Sequence, residues 1–205
     1  MVQWLDSSES PVGPELFRGW AALLQSGGTF LYPSDTIYGL GCDASQISAV
    51  ERVRDAKDRV PEKSFLVLLG SFAVLEQYFL PSERERAMLA RIWPGPFTCL
   101  LEPKKGMLEH LRGPDGRIGV RWGLSPLLDG LFQVYSGLLL STSANRSGDA
   151  YHHDSQRVLD LFKDRVDAMI LLEQYPLSKP SALVACGTGG WSVLREGPFP
   201  LPEDV

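Results

Sequence analysis

Histidine and cysteine are scarce in this chain, which has 205 residues and contains three of each. The cysteines lie far apart, with no CxxC pair and no histidine at ligand spacing, so neither a zinc site nor a disulfide framework is predicted. His152 and His153 are adjacent, and adjacent side chains diverge on either a helix or a strand. No metal-ligating residue is therefore predicted, and histidine is not expected to act as a general base.

The chain also lacks an excess of positive charge and a long apolar run. Lysine and arginine number 20 against 25 aspartate and glutamate residues, so the formal net charge is −5, which argues against strong attraction to nucleic acid or to an anionic membrane. No apolar run reaches membrane-spanning length, and the polar N-terminal segment has neither the basic nor the apolar region of a secretory signal. Together with the cysteine usage, these absences predict a cytoplasmic protein without membrane contact.

Common motifs for phosphate binding and nucleophilic catalysis are missing as well. The chain contains no GxxxxGK[ST] phosphate loop and no GxSxG nucleophile elbow, and GLGCDA does not match GxGxxG. Without a histidine base, the chemistry is expected to depend on positioning and charge neutralisation, as phosphoryl and nucleotidyl transfer do.

What is present is an ordinary globular composition, with 44% hydrophobic and 22% charged residues. Apolar segments of strand length alternate with helical patterns, without a linker or repeat, which predicts one α/β domain over residues 13–205. Residues 1–12 are predicted to form a flexible N-terminal arm. The last predicted strands, ALVAC and SVLRE, have no helix between them, so we expect a hairpin and a twisted mixed sheet flanked by helices.

The segment LYPSDTIYGLGCDA, residues 31–44, begins as a predicted strand that ends at Pro33. The polar residues SDT follow, and the two glycines of GLG predict a sharp turn or a close approach to a ligand. Two interpretations stay open at this point. The segment is either a well-made turn between a strand and a helix, or a ligand site at the end of a strand.

Two later strands carry polar side chains of a similar kind. Ser141, Ser143 and Asn145 follow the apolar residues LLL, and Arg121 lies in the alternating segment RIGVRW. Such side chains donate hydrogen bonds to phosphate or carboxylate groups. They also cap helices and form turns in many proteins, so both interpretations remain open here as well.

Three cations, Lys57, Arg59 and Lys63, follow the second predicted helix. Cations at a helix C-terminus are favoured by the helix dipole, which is one explanation. The acidic residues between them exclude a basic patch for nucleic acid, and a lysine with an arginine suits a triphosphate. On this second explanation, Lys57→Ala and Arg59→Ala should weaken ATP binding with little loss of stability.

In combination, these motifs resemble the YrdC/Sua5 family of L-threonylcarbamoyladenylate synthases. LYPSDTIYGLGCDA is similar to the family's Tyr-Pro-Thr-Glu-Thr-Val-Tyr-Gly-Leu-Gly signature, Lys57-Asp58-Arg59 to its Lys-x-Arg element, and Ser143-Ala144-Asn145 to its Ser-x-Asn element. WPGPFT, IGVR, SANRSG and VLREG follow in family order.

The resemblance implies a short-form synthase that condenses L-threonine, bicarbonate and ATP into threonylcarbamoyl-AMP and pyrophosphate, for the t6A modification at position 37 of tRNA. It implies a twisted mixed sheet with a deep central cavity. It also implies Mg²⁺ held mainly by the ATP phosphates, a separate threonylcarbamoyl transferase complex that takes the product, and at most weak tRNA binding.

The resemblance further implies roles for individual residues. Lys57 and Arg59 would be the catalytic residues, facing the ATP phosphates. The implied ATP-binding positions are Lys57, Arg59, Lys63, Ser143, Asn145, Tyr151 and Arg195. The implied threonine-binding positions are Thr36, Arg121, Ser141 and Ser181.

Departures from the family pattern concern the amino-acid side. Ser34-Asp35 replaces Thr-Glu, Leu68 stands where many members have a histidine, and Ala182 lacks the hydroxyl of a Ser-Thr-Val element. These departures leave three alternatives open: a different amino-acid substrate, a YciO-type paralogue, or an RNA-binding module that uses the same groove. The intact Lys-x-Arg and Ser-x-Asn elements favour the synthase.

Overall fold

The structure is a computed structural model and describes residues 1–5, 13–58, 65–173, 179–187 and 190–202. Its strands are β1 (Val2–Leu5), β2 (Thr29–Pro33), β3 (Tyr38–Asp43), β4 (Leu66–Leu68), β5 (Phe97–Leu101), β6 (Ile118–Arg121), β7 (Leu139–Ser143), β8 (Ala168–Leu172), β9 (Ala182–Gly187) and β10 (Gly190–Arg195). Its helices are α1 (Pro14–Gln25), α2 (Ile47–Ala56), α3 (Phe72–Tyr78), α4 (Glu83–Ile92), α5 (Pro126–Phe132) and α6 (Ser155–Phe162). A single 3₁₀ turn covers Glu109–Leu111.

All these strands join one sheet in the order β1-β8-β2-β3-β7-β4-β6-β5-β9-β10. The pairs β1/β8, β2/β8, β4/β6 and β5/β9 are parallel, and the other neighbours are antiparallel. The predicted mixed sheet flanked by helices is therefore confirmed, and so is the hairpin that joins β9 to β10. In the described part of the chain, no helix has the length and apolar composition that crossing a membrane requires.

Side chains alternate between the two faces of the sheet, because the side-chain period of a strand is two. On the first face, α1 and α5 pack against residues such as Tyr32 and Leu139. On the second face, α2, α3, α4 and α6 pack against residues such as Leu31 and Leu40. The sheet is thus covered by a separate apolar cluster on each face, which places the core in two layers.

The N-terminal residues differ from the prediction. Val2–Leu5 form β1, which pairs in parallel with β8 at one edge of the sheet. The predicted flexible arm is therefore wrong for these residues, while residues 6–12 lie outside the described part of the chain. Four residues at a sheet edge carry too short a pattern to identify a strand from sequence alone.

The sharp turn predicted for the two glycines of GLG is wrong, since both glycines lie in β3. β3 pairs antiparallel with β2, from Thr29 opposite Cys42 to Pro33 opposite Tyr38. A Cβ atom built on Gly41 would lie 2.3 Å from the Leu140 carbonyl oxygen of β7. The glycine is required by close packing within the sheet and not by a left-handed backbone.

Serine is a preferred N-cap residue, and two serines of this chain begin helices. Ser71 caps α3, and Ser82 forms a capping box with Glu85 at the start of α4. Ser45 does not cap α2, because its backbone N–H and hydroxyl both donate to the Asp43 carboxylate at 2.8 and 2.6 Å. The N-cap of α2 is Gln46, and the helix begins at Ile47.

Candidate active site

A pocket of about 660 Å³ opens on the part of the first face that α1 and α5 leave uncovered. Its floor consists of alternate residues from neighbouring strands, running from β3 across β7, β4, β6 and β5 to β9. On β6, Gly119 and Arg121 face the pocket while Val120 between them packs into the core of the second face. On β7, Ser141 and Ser143 face the pocket in the same way.

Small side chains make this part of the sheet concave. The small residues of the floor are Gly39, Thr98, Gly119, Ser141 and Ser143. A sheet face that carries small and hydroxylated side chains cannot bury a helix well, but it can hold a polar ligand. The hydroxyl-rich strand end that the sequence singled out on β7 therefore belongs to this floor.

Arg121, the last residue of β6, is a deeply buried cation of the pocket, since only 3% of it is exposed. Its Nη1 donates to Thr36 Oγ1 at 3.0 Å, and its Nη2 lies 3.2 Å from Asp35 Oδ1 as an ion pair. Its Nε has no hydrogen-bond partner among the described residues. Because an unpaired buried donor is costly, an acceptor supplied by a ligand would stabilise this arrangement.

The turn between β2 and β3 holds Thr36 in place. Ser34 Oγ accepts a hydrogen bond from the Thr36 backbone N–H at 3.1 Å and donates to the Ile37 carbonyl at 2.6 Å. Asp35 Oδ2 accepts from the backbone N–H of Leu124 at 3.3 Å. The SDT segment therefore forms a hydrogen-bonded turn and one wall of the pocket, so the two interpretations of this segment do not exclude each other.

The floor ends at β9, and two residues meet there. Ser181 directly precedes β9, and Arg195 is the last residue of β10. Arg195 donates from Nη2 and Nε to the Ser181 carbonyl at 2.9 and 3.2 Å, and Ser181 Oγ shares a 2.8 Å hydrogen bond with Thr98 Oγ1. Burial, and then the nearby Arg121 charge, lower the pKa of Arg195. An arginine stays protonated at neutral pH, so two like charges face one pocket and favour an anionic ligand.

Lys57 supports the segment that follows β7. Its Nζ donates to the carbonyl oxygen of Ser143, to that of Asn145 at 2.6 Å and to Asn145 Oδ1 at 3.4 Å. Asn145 Nδ2 in turn donates to the Arg146 and Asp149 carbonyls at 3.1 and 2.6 Å. Lys57 is only 1% exposed, and these three oxygens match the three donors of an ammonium group. The lysine therefore holds one wall of the pocket from behind.

The family model Sua5/YciO/YrdC, described as "Telomere recombination", matches residues 22–197 of the chain. The match includes every strand of the pocket floor. The chain belongs to the YrdC/Sua5 family. The resemblance that the sequence motifs indicated is therefore confirmed.

The family relatives include proteins with and without a stated activity. "Threonylcarbamoyl-AMP synthase" of Nitrosococcus oceani is 36% identical over 129 residues, which are 62% of this chain and 70% of that protein. The crystal structure of P. abyssi Sua5 complexed with L-threonine superposes with a TM-score of 0.88 at 24% identity, over 98% of this chain and 58% of that one. E. coli YciO superposes with a TM-score of 0.83 at 22% identity, over 96% and 95% of the two chains. At these identities the two structures establish the fold.

The pocket brings together most of the positions that the YrdC/Sua5 motifs indicate. Those that line it are Thr36, Arg121, Ser141, Ser143, Tyr151, Ser181 and Arg195. Lys57 and Asn145 lie behind the wall that contains Ser143. Arg59 and Lys63 lie outside the described residues. The individual roles of all these residues stay predictions.

Two further residues line the pocket just before β6, Asp115 and Arg117, and no sequence motif marks them. Arg117 donates from Nε to Asp115 Oδ2 at 2.8 Å, and its Nη2 lies 2.7 Å from the same oxygen. An Asp-Gly-Arg sequence is ordinary loop chemistry, so nothing local in the sequence marks it as part of a site.

The two family departures Leu68 and Ala182 do not line the pocket. Leu68 has no exposed surface and packs in the cluster under α1 and α5, and Ala182 is 3% exposed within the core of the second face. The alternative of a different amino-acid substrate depended on these two positions, and the geometry therefore lends it no support.

Proposed function

We propose that this chain is an L-threonylcarbamoyl-AMP synthase, which condenses L-threonine, bicarbonate and ATP into threonylcarbamoyl-AMP and pyrophosphate. The observation that carries the proposal is the buried guanidinium of Arg121, which belongs to the pocket lining and whose Nε has no hydrogen-bond partner among the described residues. Guanidinium and carboxylate groups match as two parallel hydrogen bonds. The name of the relative from Nitrosococcus oceani supports L-threonine as the source of that carboxylate.

Two steps make up the proposed reaction. The threonine amino group attacks the bicarbonate carbon, and loss of water leaves a carbamate. A carbamate oxygen then attacks the α-phosphorus of ATP, and pyrophosphate leaves with the electrons of the broken P–O bond. Negative charge gathers on the phosphates, so fixed cations in the pocket lower the barrier by electrostatic stabilisation.

The pocket supplies groups for both halves of the product. We assign Thr36, Arg121, Ser141 and Ser181 to L-threonine. We assign Ser143, Tyr151 and Arg195 to ATP, with Lys57 and Asn145 supporting that wall. Arg59 and Lys63 are proposed to reach the phosphates, with Arg59 as the catalytic cation of the family motif. Lys57, which the motif also assigned to catalysis, is proposed instead to position the Ser143–Asn145 wall.

Mg²⁺ is proposed to enter the pocket with the nucleotide. Within the described ranges, no group of three or more histidine, cysteine, aspartate or glutamate side chains is arranged to hold a metal ion. The pocket carboxylate Asp115 is already paired with Arg117. Magnesium commonly keeps phosphate oxygens and water as ligands, which fits a pocket without its own carboxylate cage.

The product is a mixed anhydride of a carbamic acid and AMP, and such a compound hydrolyses readily. We therefore propose that the protein passes its product to a threonylcarbamoyl transferase complex that modifies tRNA. We also propose that it acts in the cytoplasm, because its three free cysteines fit a reducing compartment. With a net charge of −5, binding of tRNA to this chain itself should be weak and should depend little on salt, because few phosphates would be neutralised.

A pyrophosphate assay tests the proposed function. The purified chain, supplied with ATP, Mg²⁺, bicarbonate and L-threonine, is expected to release pyrophosphate, and omission of L-threonine should abolish the release because no carbamate can form. L-serine and L-valine are matched controls, since each lacks one group of the threonine side chain. Folded protein that makes no threonine-dependent pyrophosphate would refute the synthase, and a higher kcat/KM with another amino acid would replace threonine as the substrate.

A further inference from the structure

Tyr32 has no place in the site derived from the sequence, yet its side chain lies directly beside the pocket floor. It is fully buried on the first face of β2, where its ring stacks on Phe30 with the ring centroids 4.7 Å apart. A Cβ atom on Gly39 would lie 2.7 Å from Tyr32 Cζ, and one on Gly41 would lie 3.4 Å from its Cε1. The ring therefore crosses β3 over its two glycines and reaches the next strand.

The strand that it reaches is β7, where the Tyr32 hydroxyl donates a hydrogen bond to Ser141 Oγ at 2.7 Å. Ser141 lines the pocket and is 5% exposed. A serine hydroxyl that accepts one hydrogen bond still has its own proton to donate. Within the described ranges, the bond from Tyr32 is the one hydrogen bond of the Ser141 side chain. The serine proton is therefore available to a ligand.

The direction of this hydrogen bond is stable around neutral pH. Burial raises the pKa of Tyr32 well above its usual value, and this effect outweighs the Ser141 hydrogen bond and the Arg121 charge, which both lower it. Tyr32 thus keeps the proton that it donates to Ser141 Oγ in the observed geometry. Ser141 keeps its own proton for an acceptor in the pocket that it lines.

The sheet order explains how Ser141 and Arg121 can serve one ligand. β7 and β6 are separated only by β4, and both residues lie on the same face. Leu66 of β4 stands opposite Ser141 on one side and opposite Gly119, two residues before Arg121, on the other. A small anionic molecule on this floor is therefore within reach of the arginine fork and the serine donor.

We propose that Tyr32 is a positioning residue for the amino-acid substrate, because its hydroxyl fixes Ser141 so that the serine proton is directed to an acceptor oxygen of L-threonine. The inference rests on the proposed function and adds a residue to it. It also explains the spacing of the GLG segment, since Gly39 and Gly41 leave the space that the Tyr32 ring crosses.

Tyr32→Phe tests the inference, since it removes the hydroxyl and keeps the ring that packs on β3. The KM for L-threonine should rise about fivefold to tenfold, the usual effect of losing one neutral hydrogen bond, while the KM for ATP should stay within about twofold. Tyr135→Phe is the matched control. Tyr135 is buried in the same cluster, and its hydroxyl donates to the Leu138 carbonyl at 3.3 Å away from the pocket lining. This variant should change neither KM.

A double-mutant cycle separates positioning from a structural effect. Ser141→Ala should also raise the KM for L-threonine selectively, and adding Tyr32→Phe to that variant should change it by less than about twofold. Thermal stabilisation of each variant by L-threonine in the presence of ATP gives a second measurement.

Three outcomes would overturn the role of Tyr32. In the first, Tyr32→Phe raises the KM values for L-threonine and ATP equally, and in the second it leaves both unchanged in an active enzyme. In the third, Tyr32→Phe has its full effect on the KM for L-threonine when added to Ser141→Ala. An inactive wild-type protein would refute the proposed function itself.

Discussion

Arg121→Lys is expected to lower kcat/KM for L-threonine by roughly 10²- to 10³-fold, the usual cost of losing a buried, charge-assisted pair. Lysine keeps the positive charge but lacks the planar fork. The variant therefore loses the planar group that contacts both Thr36 and Asp35, and with it the two parallel hydrogen bonds that a guanidinium offers a carboxylate. The KM for ATP should change much less, because the proposed contact is to the amino acid. Initial rates of pyrophosphate release at varied L-threonine concentration measure both effects.

Arg52→Lys is the matched control for the loss of an arginine fork. The Arg52 guanidinium contacts both carboxylate oxygens of Asp167, at 2.7 and 2.8 Å, and it is not among the residues that line the proposed active site. This variant should retain near wild-type rates, because its pair is half-exposed and contributes little even to stability. Similar losses in the two variants, or full activity of Arg121→Lys, would contradict the assignment of the threonine carboxylate to Arg121.

Lys57→Met is expected to lower the free energy of unfolding by about 1–3 kcal/mol, since it leaves a buried carbonyl without its donor. The Asn145 carbonyl loses the Lys57 ammonium, while the Ser143 carbonyl keeps the Asn145 backbone N–H and Asn145 Oδ1 keeps the Ser143 hydroxyl. Urea denaturation followed by circular dichroism measures the loss. This expectation differs from the one drawn from the motif alone, which was weaker ATP binding with little loss of stability. The buried position of the ammonium is the reason for the change.

Lys163→Met is the control for the removal of a lysine charge. The Lys163 side chain is 51% exposed and forms an i,i+3 pair with Asp160 at 3.5 Å, so its loss should change stability by less than about 0.5 kcal/mol. If Lys57→Met is as stable as the wild-type protein and yet binds ATP more weakly, then Lys57 contacts the phosphates directly, as the family resemblance implies. A large loss of stability instead shows that it acts through the Ser143–Asn145 segment.

Local patterns in the sequence predicted much of the fold. The serines that cap α3 and α4 and the alternation of RIGVRW around Arg121 are signals that neighbouring residues create within one turn or one strand. β1 and the strand character of GLG were missed for the opposite reason. Val2–Leu5 become a strand through pairing with β8, and Gly39 and Gly41 through pairing with β2 and β7.

The sequence by itself determined the family, the α/β class and the types of side chain available for chemistry, because motifs and periodicity are properties of short segments. Only the tertiary structure decided which of these side chains meet, since the decisive contacts join residues far apart in the chain. Thr36 and Arg121 are 85 positions apart, Lys57 and Asn145 are 88, and Tyr32 and Ser141 are 109. It also decided that Lys57 lies behind the pocket wall, because its ammonium is buried against the Ser143 and Asn145 carbonyls. The pocket itself exists because helices cover one part of the first sheet face and leave small residues exposed on the rest.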